Sequence, residues 1–301
     1  MIALLLAAAA AAALPKPLFT VPPQHRLIEG VAADGKRIWV SSLIDRQILL
    51  CGTTCRVFAR IPSPLHPFAI SWDDERKRLW VAADCPPGVS FIKACEAGAL
   101  LGLDGRGRIK TRISAPTRPF HPGDVSASKG EVFVSDSQNG AVYRLSKNGR
   151  ALAALVPVGV GKSAQGAALS PDGKQVLVAD YSQGITTIDL ATGERRLLPR
   201  QDGKPLRGVD GLVRCGNGYL GIYNGAAPGA LLTIKMRESG VEYGELVEDM
   251  ALPDPTQIAF DGKRMLLVAD SGWATSDRAG FKRSEGTPIL AIPVDQDCRA
   301  R

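Results

Sequence analysis

One phrase recurs along this chain about every 40 to 55 residues: a short apolar strand, a turn, then a second strand ending in an acidic or small residue. It reads IEGVAADGKRIWVSSL from Ile28, PFAISWDDERKRLWVAAD from Pro67, GDVSASKGEVFVSDS from Gly123, QGAALSPDGKQVLVADY from Gln165, VDGLVRCGNGYLGIYNG from Val209 and TQIAFDGKRMLLVAD from Thr256. Alternation such as Arg78-Leu79-Trp80-Val81-Ala82, punctuated by Asp-Gly and Gly-Lys turns, reads as strand and not as helix. Two weaker strands follow each pair, as in Ala141 to Leu145 and Ala151 to Leu155, which makes four per unit. A single sheet of this kind cannot bury both faces, so six units must stack around an axis. The expected fold is all-β, a six-bladed β-propeller with four-stranded blades.

The ring has to close. After Pro288 to Ile292 the last unit is one strand short, while Pro17-Leu18-Phe19-Thr20-Val21 belongs to no unit, so an N-terminal strand is expected to complete the last blade. One propeller then uses residues 14–301 as a single domain. The first 13 residues, MIALLLAAAAAAA, form an apolar run ending in small residues, which fits a secretory signal peptide although it lacks a basic start. The run is shorter than the roughly 20 residues of a membrane span, so the mature chain is expected without one, as a monomer in the periplasm or outside the cell. Six cysteines agree with an oxidising compartment. Cys51 and Cys55 flank a turn, Cys85 and Cys95 bracket an insertion, and Cys215 and Cys298 remain for a long-range bridge; no CxxC spacing or neighbouring histidine favours zinc.

Several function classes drop out. The net charge of +7 is spread along the chain with only 6% aromatic residues, which gives no basic stripe for nucleic acid. Gly159-Val160-Gly161-Lys162-Ser163 imitates a phosphate loop, but Val156 stands where the first glycine belongs and a strand follows, so no nucleotide site is expected. There is no GxSxG elbow and no HExxH pair.

In a propeller the first strand of each blade lines a central tunnel, and residues at those strand starts converge. Here they are Glu29, His66, His121 with Asp124, Gln165, Asp210, and Thr256 or Gln257, with Asn224 at the end of a second strand. Polar groups at buried strand starts need a reason. Glu29, Asp210 and Gln165 form a hard oxygen set for a divalent metal, Ca²⁺ first, with Mg²⁺, Zn²⁺ or Mn²⁺ as alternatives. His121, His66 or Asp124 are the candidates for moving a proton, and Asn224, Thr256, Gln257 and Trp273 for contacting substrate. The bland alternative is a wet tunnel whose polar side chains bond to water and to one another. Asp84, Asp136, Asp180 and Asp270, which end second strands, read as turn caps; Asp34, Asp73, Asp172 and Asp261 read as solvated turn residues. Residues 271–286 form a long loop that could act as a lid.

The ordered set of phrases, above all GVDGL followed by YNG, resembles the SMP-30/gluconolactonase/LRE-like family over about residues 25–294. The resemblance implies a divalent-metal site at the tunnel mouth and hydrolysis of lactones or related esters. It assigns the family's metal-binding Glu to Glu29 and its DG aspartate to Asp210. The Asn of the family's NG phrase falls on Gln165, and that of its ND phrase on Gly123, with Asp124 matching the acid beside it. The expected function is an exported metal-dependent hydrolase of lactones acting on a small molecule; the alternative is a non-catalytic propeller that binds a small molecule or protein in the cell envelope. Fold alone does not choose between them.

Overall fold

Alternating apolar residues and Asp- and Gly-rich turns give each repeat a four-stranded antiparallel sheet in the computed structural model, which describes residues 14–248, 250–275, 284–295 and 297–300. Strand β1 (Phe19–Val21) precedes the first blade, which is β2 (Ile28–Ala33), β3 (Ile38–Ser42), β4 (Gln47–Cys51) and β5 (Cys55–Arg60). The second is β6 (His66–Asp73), β7 (Arg78–Asp84), β8 (Ala99–Leu103) and β9 (Ile109–Ile113), and the third β10 (Pro122–Ser128), β11 (Glu131–Asp136), β12 (Val142–Leu145) and β13 (Leu152–Val156). The fourth is β14 (Ala164–Leu169), β15 (Gln175–Asp180), β16 (Gly184–Asp189) and β17 (Arg195–Leu197), and the fifth β18 (Val209–Cys215), β19 (Gly218–Tyr223), β20 (Ala230–Arg237) and β21 (Gly240–Glu245). The sixth begins with β22 (Ile258–Phe260), β23 (Arg264–Val268) and β24 (Thr287–Pro293).

That sixth sheet runs β22-β23-β24-β1, so the N-terminal strand closes the ring, with Phe19 opposite Ile289 and Val21 opposite Thr287. Val21 is fully buried. Deleting residues 14–24 strips the outer edge of β24 and exposes Val21's contacts; burial of one such side chain is worth about 1.5–3 kcal/mol. The truncated chain is expected to melt about 5–10 °C lower, read by calorimetry, and an unchanged melting temperature would refute the closure.

The core lies between blades, where alternate residues of facing sheets meet. Trp39, Trp80, Phe133, Tyr143 and Tyr219 are almost wholly inaccessible there, and Trp39 stacks on Trp72 of the next blade at 5.1 Å. Three disulfides, Cys51–Cys55, Cys85–Cys95 and Cys215–Cys298, use all six cysteines. The last ties the inner strand of blade five to the C-terminal segment. No described helix is long and apolar enough to cross a membrane. Residues 1–13, read as a signal segment, lie outside the described residues.

The turn acids do more than face solvent. Asp34 and Asp261 each accept two backbone N–H groups and an arginine of their own turn. Asp73 corrects the expectation of a solvated residue: it is 2% exposed, accepts the indole N–H of Trp80 and pairs with Arg76. Such local bonds replace the ladder where the chain reverses.

Candidate active site at the tunnel mouth

A repeated irregularity builds the site. On the first strand of blades one, two, four and five, two residues stand opposite a single residue of the second strand: Glu29-Gly30, Phe68-Ala69, Gln165-Gly166 and Asp210-Gly211. In blade three the extra residue is Gly123. A bulge of this kind leaves its residues out of the ladder and re-aims their side chains. Bulged residues make up much of the lining of a cavity of about 140 Å³: Glu29, Phe68, Ala69, Gly123, Gln165 and Asp210, joined by Asp124, Ser137, Thr256, Gln257 and Trp273.

Glycine after the acid has a steric reason. A Cβ on Gly30 would stand 2.8 Å from the Phe68 carbonyl oxygen, one on Gly166 2.3 Å from the Leu212 nitrogen, and one on Gly211 2.9 Å from the Thr256 carbonyl oxygen. Each is backbone of the next blade's inner strand or, for Thr256, of the segment leading into it. The EG, QG and DG phrases therefore mark where neighbouring blades touch around the tunnel.

Three carboxylates meet at this mouth, and burial drives all three toward their protonated forms. Desolvation, then repulsion from Asp210, Asp254 and Asp124, raises Glu29 well above its ordinary range, against an opposing hydrogen bond from Trp273. Asp124 is raised to about 7 by desolvation and by Asp210, although Val125 N–H and Gln257 Nε2 both donate to its Oδ1. Asp210 rises to about 6 through desolvation and Asp254, opposed by Asn224, whose Nδ2 donates at 2.9 Å. Among the described residues, no lysine or arginine pairs with any of the three. The Asn224 Oδ1, also buried, has no hydrogen-bond partner there.

A hard divalent cation fits this donor set: Glu29 and Asp210 supply charge, and Gln165 and Asn224 amide oxygens. The Gln165 Nε2 donates to Ser163, which leaves its Oε1 on the Gly123 side, 3.7 Å from where a Cβ there would lie. Ligands on one calcium ion lie no more than about 5 Å apart. Among the described residues, the one trio of His, Cys, Asp or Glu ligand atoms within 4.8 Å of one another is Asp84, Cys85 and Cys95, whose cysteines are disulfide-bonded. Glu29, Asp124 and Asp210 do not form such a trio, so an ion at the mouth would draw on the amide oxygens of Gln165 and Asn224 as well.

The structure does not bring the histidines to the mouth. His121 is 4% exposed, and its Nδ1 sits 3.1 Å from Asp84 of the neighbouring blade while its backbone N–H donates to Asp136. It precedes β10 and the bulge, and its bonds to Asp84 and Asp136 hold it at the blade interface. His66 puts Nδ1 2.9 Å from the Leu43 carbonyl oxygen, and burial lowers its pKa below the ordinary imidazole value. Neither lines the cavity. Asp84 correspondingly is more than a turn cap; burial lifts it to about 6 against the attraction of His121. Asp136 and Asp180 do cap their turns, accepting from Gln138 and Asn139, and from Ser182 and Gln183.

Thr256 and Gln257 hold the site's frame. Thr256 Oγ1 donates to the Glu29 carbonyl oxygen at 2.7 Å. The Gln257 Oε1 accepts from Val31 and Ile70, and its Nε2 donates to Asp124, so one amide links four blades across the tunnel. With Asp124 it divides the mouth from a cavity of about 210 Å³ at the other end. Trp273, in a short 3-10 turn at Trp273–Thr275, donates its indole N–H to Glu29 Oε2. The rest of the expected lid, residues 276–283, lies outside the described residues.

No family model matches the chain, and no curated protein matches it in sequence. Solved structures do match. Regucalcin from Agrobacterium tumefaciens, described as a calcium-binding protein, aligns with 15% identity and a TM-score of 0.63 over 96% of this chain and all of its own. A gluconolactonase from Xanthomonas campestris aligns at 16% identity and 0.59, over 83% and 85% of the two chains. The PQQ-bound aldose sugar dehydrogenase from Streptomyces coelicolor aligns at 11% and 0.62, over 94% and 99%. The chain resembles the SMP-30/gluconolactonase/LRE-like propellers in fold. The dehydrogenase shows that the same architecture also carries other chemistry, so function has to be argued from the site.

Against that family's pattern, the missing side chain at Gly123 has a visible replacement. A Cβ on Gly123 would lie 2.7 Å from Ser137 Oγ, which occupies the space and lines the cavity. Gly123→Asn alone is expected to destabilise the chain by about 1–3 kcal/mol through overpacking, whereas Gly123→Asn with Ser137→Gly restores stability, measured by urea unfolding. Ser137 and Asp254 escape a reading by repeat position, and only the adjacency of a second-strand end to the next first-strand start points to Ser137; Phe68 stands at the bulge of blade two, the place that Glu29 holds in blade one.

Proposed function

We propose that this chain is a divalent-metal-dependent hydrolase of lactones or related esters, working at the mouth of the propeller tunnel. The observation that carries it is the meeting of Glu29, Asp124 and Asp210, from blades one, three and five, in a cavity with amide oxygens and no paired lysine or arginine among the described residues. Buried acids that repel one another are costly without a cation, and the gluconolactonase and regucalcin likenesses support the same reading.

Glu29, Asp210 and Gln165, with the Asn224 oxygen behind Asp210, would hold the ion. When bound, it supplies Lewis acidity toward an acyl oxygen and makes a coordinated water more acidic. Asp124 is the group suited to move a proton: at a pKa of about 7 it exchanges one near neutrality, and Gln257 and Val125 fix its Oδ1. Water adds to the acyl carbon, the ring C–O bond breaks, and the leaving alkoxide takes back the proton that Asp124 accepted. Ser137 and Gln165 offer hydrogen bonds to the acyl group's substituents, and Phe68 with Trp273 forms the apolar side of the cavity.

Export belongs to this proposal and is supported by three disulfides that leave no free cysteine. The deciding test is metal content of the purified chain followed by hydrolysis of sugar and aliphatic lactones with and without chelator. Chelator-sensitive turnover is the expected result. Bound metal without turnover favours a binding propeller, a reading supported by the two histidines that face away from the mouth.

A further inference from the structure

Trp273 is held from three sides. Its turn is capped by Asp254, whose Oδ2 accepts from Ser271 Oγ and from the N–H groups of Gly272 and Ala274. Its ring lies between Phe68, at 6.5 Å, and Phe91, at 5.8 Å. Its indole N–H ends on Glu29 Oε2. Phe91 belongs to the insertion of the second repeat, whose ends are joined by the Cys85–Cys95 disulfide and by Cys95 N–H donating to the Cys85 carbonyl oxygen at 3.0 Å. Val89, Phe91 and Cys95 pack with Trp273 against the core of the first three blades. A covalent clip, an aromatic contact and one directed hydrogen bond thus run in series from a surface loop to a carboxylate of the tunnel mouth.

A carboxylate in a half-filled cavity has several rotamers, and a donor fixed to one oxygen leaves the other aimed at a single point. We propose that Trp273 is a positioning residue that sets the Glu29 carboxylate for cation binding, and that the disulfide-closed loop from Cys85 to Cys95 holds it there through Phe91. The inference rests on the ion-binding reading of the mouth. It adds that an intact clip is a condition of full affinity, so the loop links the site to the redox state of its surroundings.

Calcium titration calorimetry tests it on the oxidised chain. Trp273→Phe keeps the ring and removes the donor, Phe91→Ala removes the buttress, and Cys85→Ala with Cys95→Ala removes the clip. Each is expected to weaken calcium roughly tenfold or more, the range for groups that orient a ligand, while Trp72→Phe, away from the mouth, leaves it unchanged. Affinity within twofold of the parent for Trp273→Phe overturns the proposal. A second readout does not depend on the ion: the indole proton of Trp273 in ¹⁵N-tryptophan-labelled protein, identified by its loss in Trp273→Phe. It is expected far downfield, shifting in Glu29→Gln and in the milder Phe91→Leu. An indole proton that ignores both overturns the proposal. A parent chain that binds neither calcium nor magnesium, zinc or manganese removes the hydrolase reading instead, and the indole proton then decides the positioning of Glu29 alone.

Discussion

Replacing Asp210 by asparagine, or Glu29 by glutamine, is expected to move stability and binding in opposite directions. Without an ion, each substitution removes an ionisable group from a buried cluster in which desolvation raises every member, Asp210 raises Glu29 and Asp124, and Asp124 raises Glu29. The metal-free variants should therefore melt higher than the parent, by about 2–8 °C if 1–2 kcal/mol of repulsion is relieved. With an ion, each loses an anionic ligand, and calcium affinity should fall by about two orders of magnitude or more. Lactone turnover should fall by about a thousandfold, since the group that polarises the acyl oxygen is no longer held. A scaffold with an unused tunnel predicts the stability gain and nothing else. Residues serving only the fold predict a loss of stability. Calorimetry with and without calcium, run beside a lactonase assay, separates all three.

The metal-free chain should also lose stability as pH rises from about 4 to 7. Asp124, almost fully buried, is raised from 3.8 to about 7, with Asp210 raised to about 6 and Glu29 upward beside it. Because the folded pKa values lie above the unfolded ones, the unfolded chain releases these protons first. In that window the native state binds more protons than the unfolded state, so stability decreases with increasing pH. Asp124 alone amounts to about 4 kcal/mol across the interval. Calcium reverses the sign, because it binds the deprotonated groups. Melting temperatures measured at pH 5 and pH 8 should therefore diverge: the ion-free chain falls, and the calcium-loaded chain holds or rises. A metal-free curve that is flat or rises across this range would contradict the electrostatics of the mouth, and Asp124→Asn should flatten it.

Fold and site were legible to different depths in the sequence. Six copies of a strand pair specify the blades because a propeller repeats one unit, and the orphan segment around Phe19 signals closure because a sheet edge needs a partner. Glu29, Gln165, Asp210 and Asp124 could be placed at the tunnel because each follows the start of a first strand. The histidines could not. His66 and His121 stand at similar repeat positions, but each two residues ahead of the bulge, where nothing re-aims the side chain, and their rings are engaged by Leu43 and Asp84. Only the register shows which residue is extra. Ser137 and Asp254 escaped for a different reason: they enter from connecting segments, where no repeat period fixes a position.

Ring closure has a consequence for the order of events in the life of the chain. Strand β1, made before any of the six blades, is the one that seals the last of them, since Phe19 pairs with Ile289. No intermediate that lacks β24 can hold a closed ring, and β1 stays without its partner until the sixth blade has been made. Contacts of such sequence separation form slowly. A chain of this design therefore stays an unsealed strip, with its six blades not yet joined, and Glu29, Asp124 and Asp210 face one another across a closed tunnel only when β1 and β24 have met.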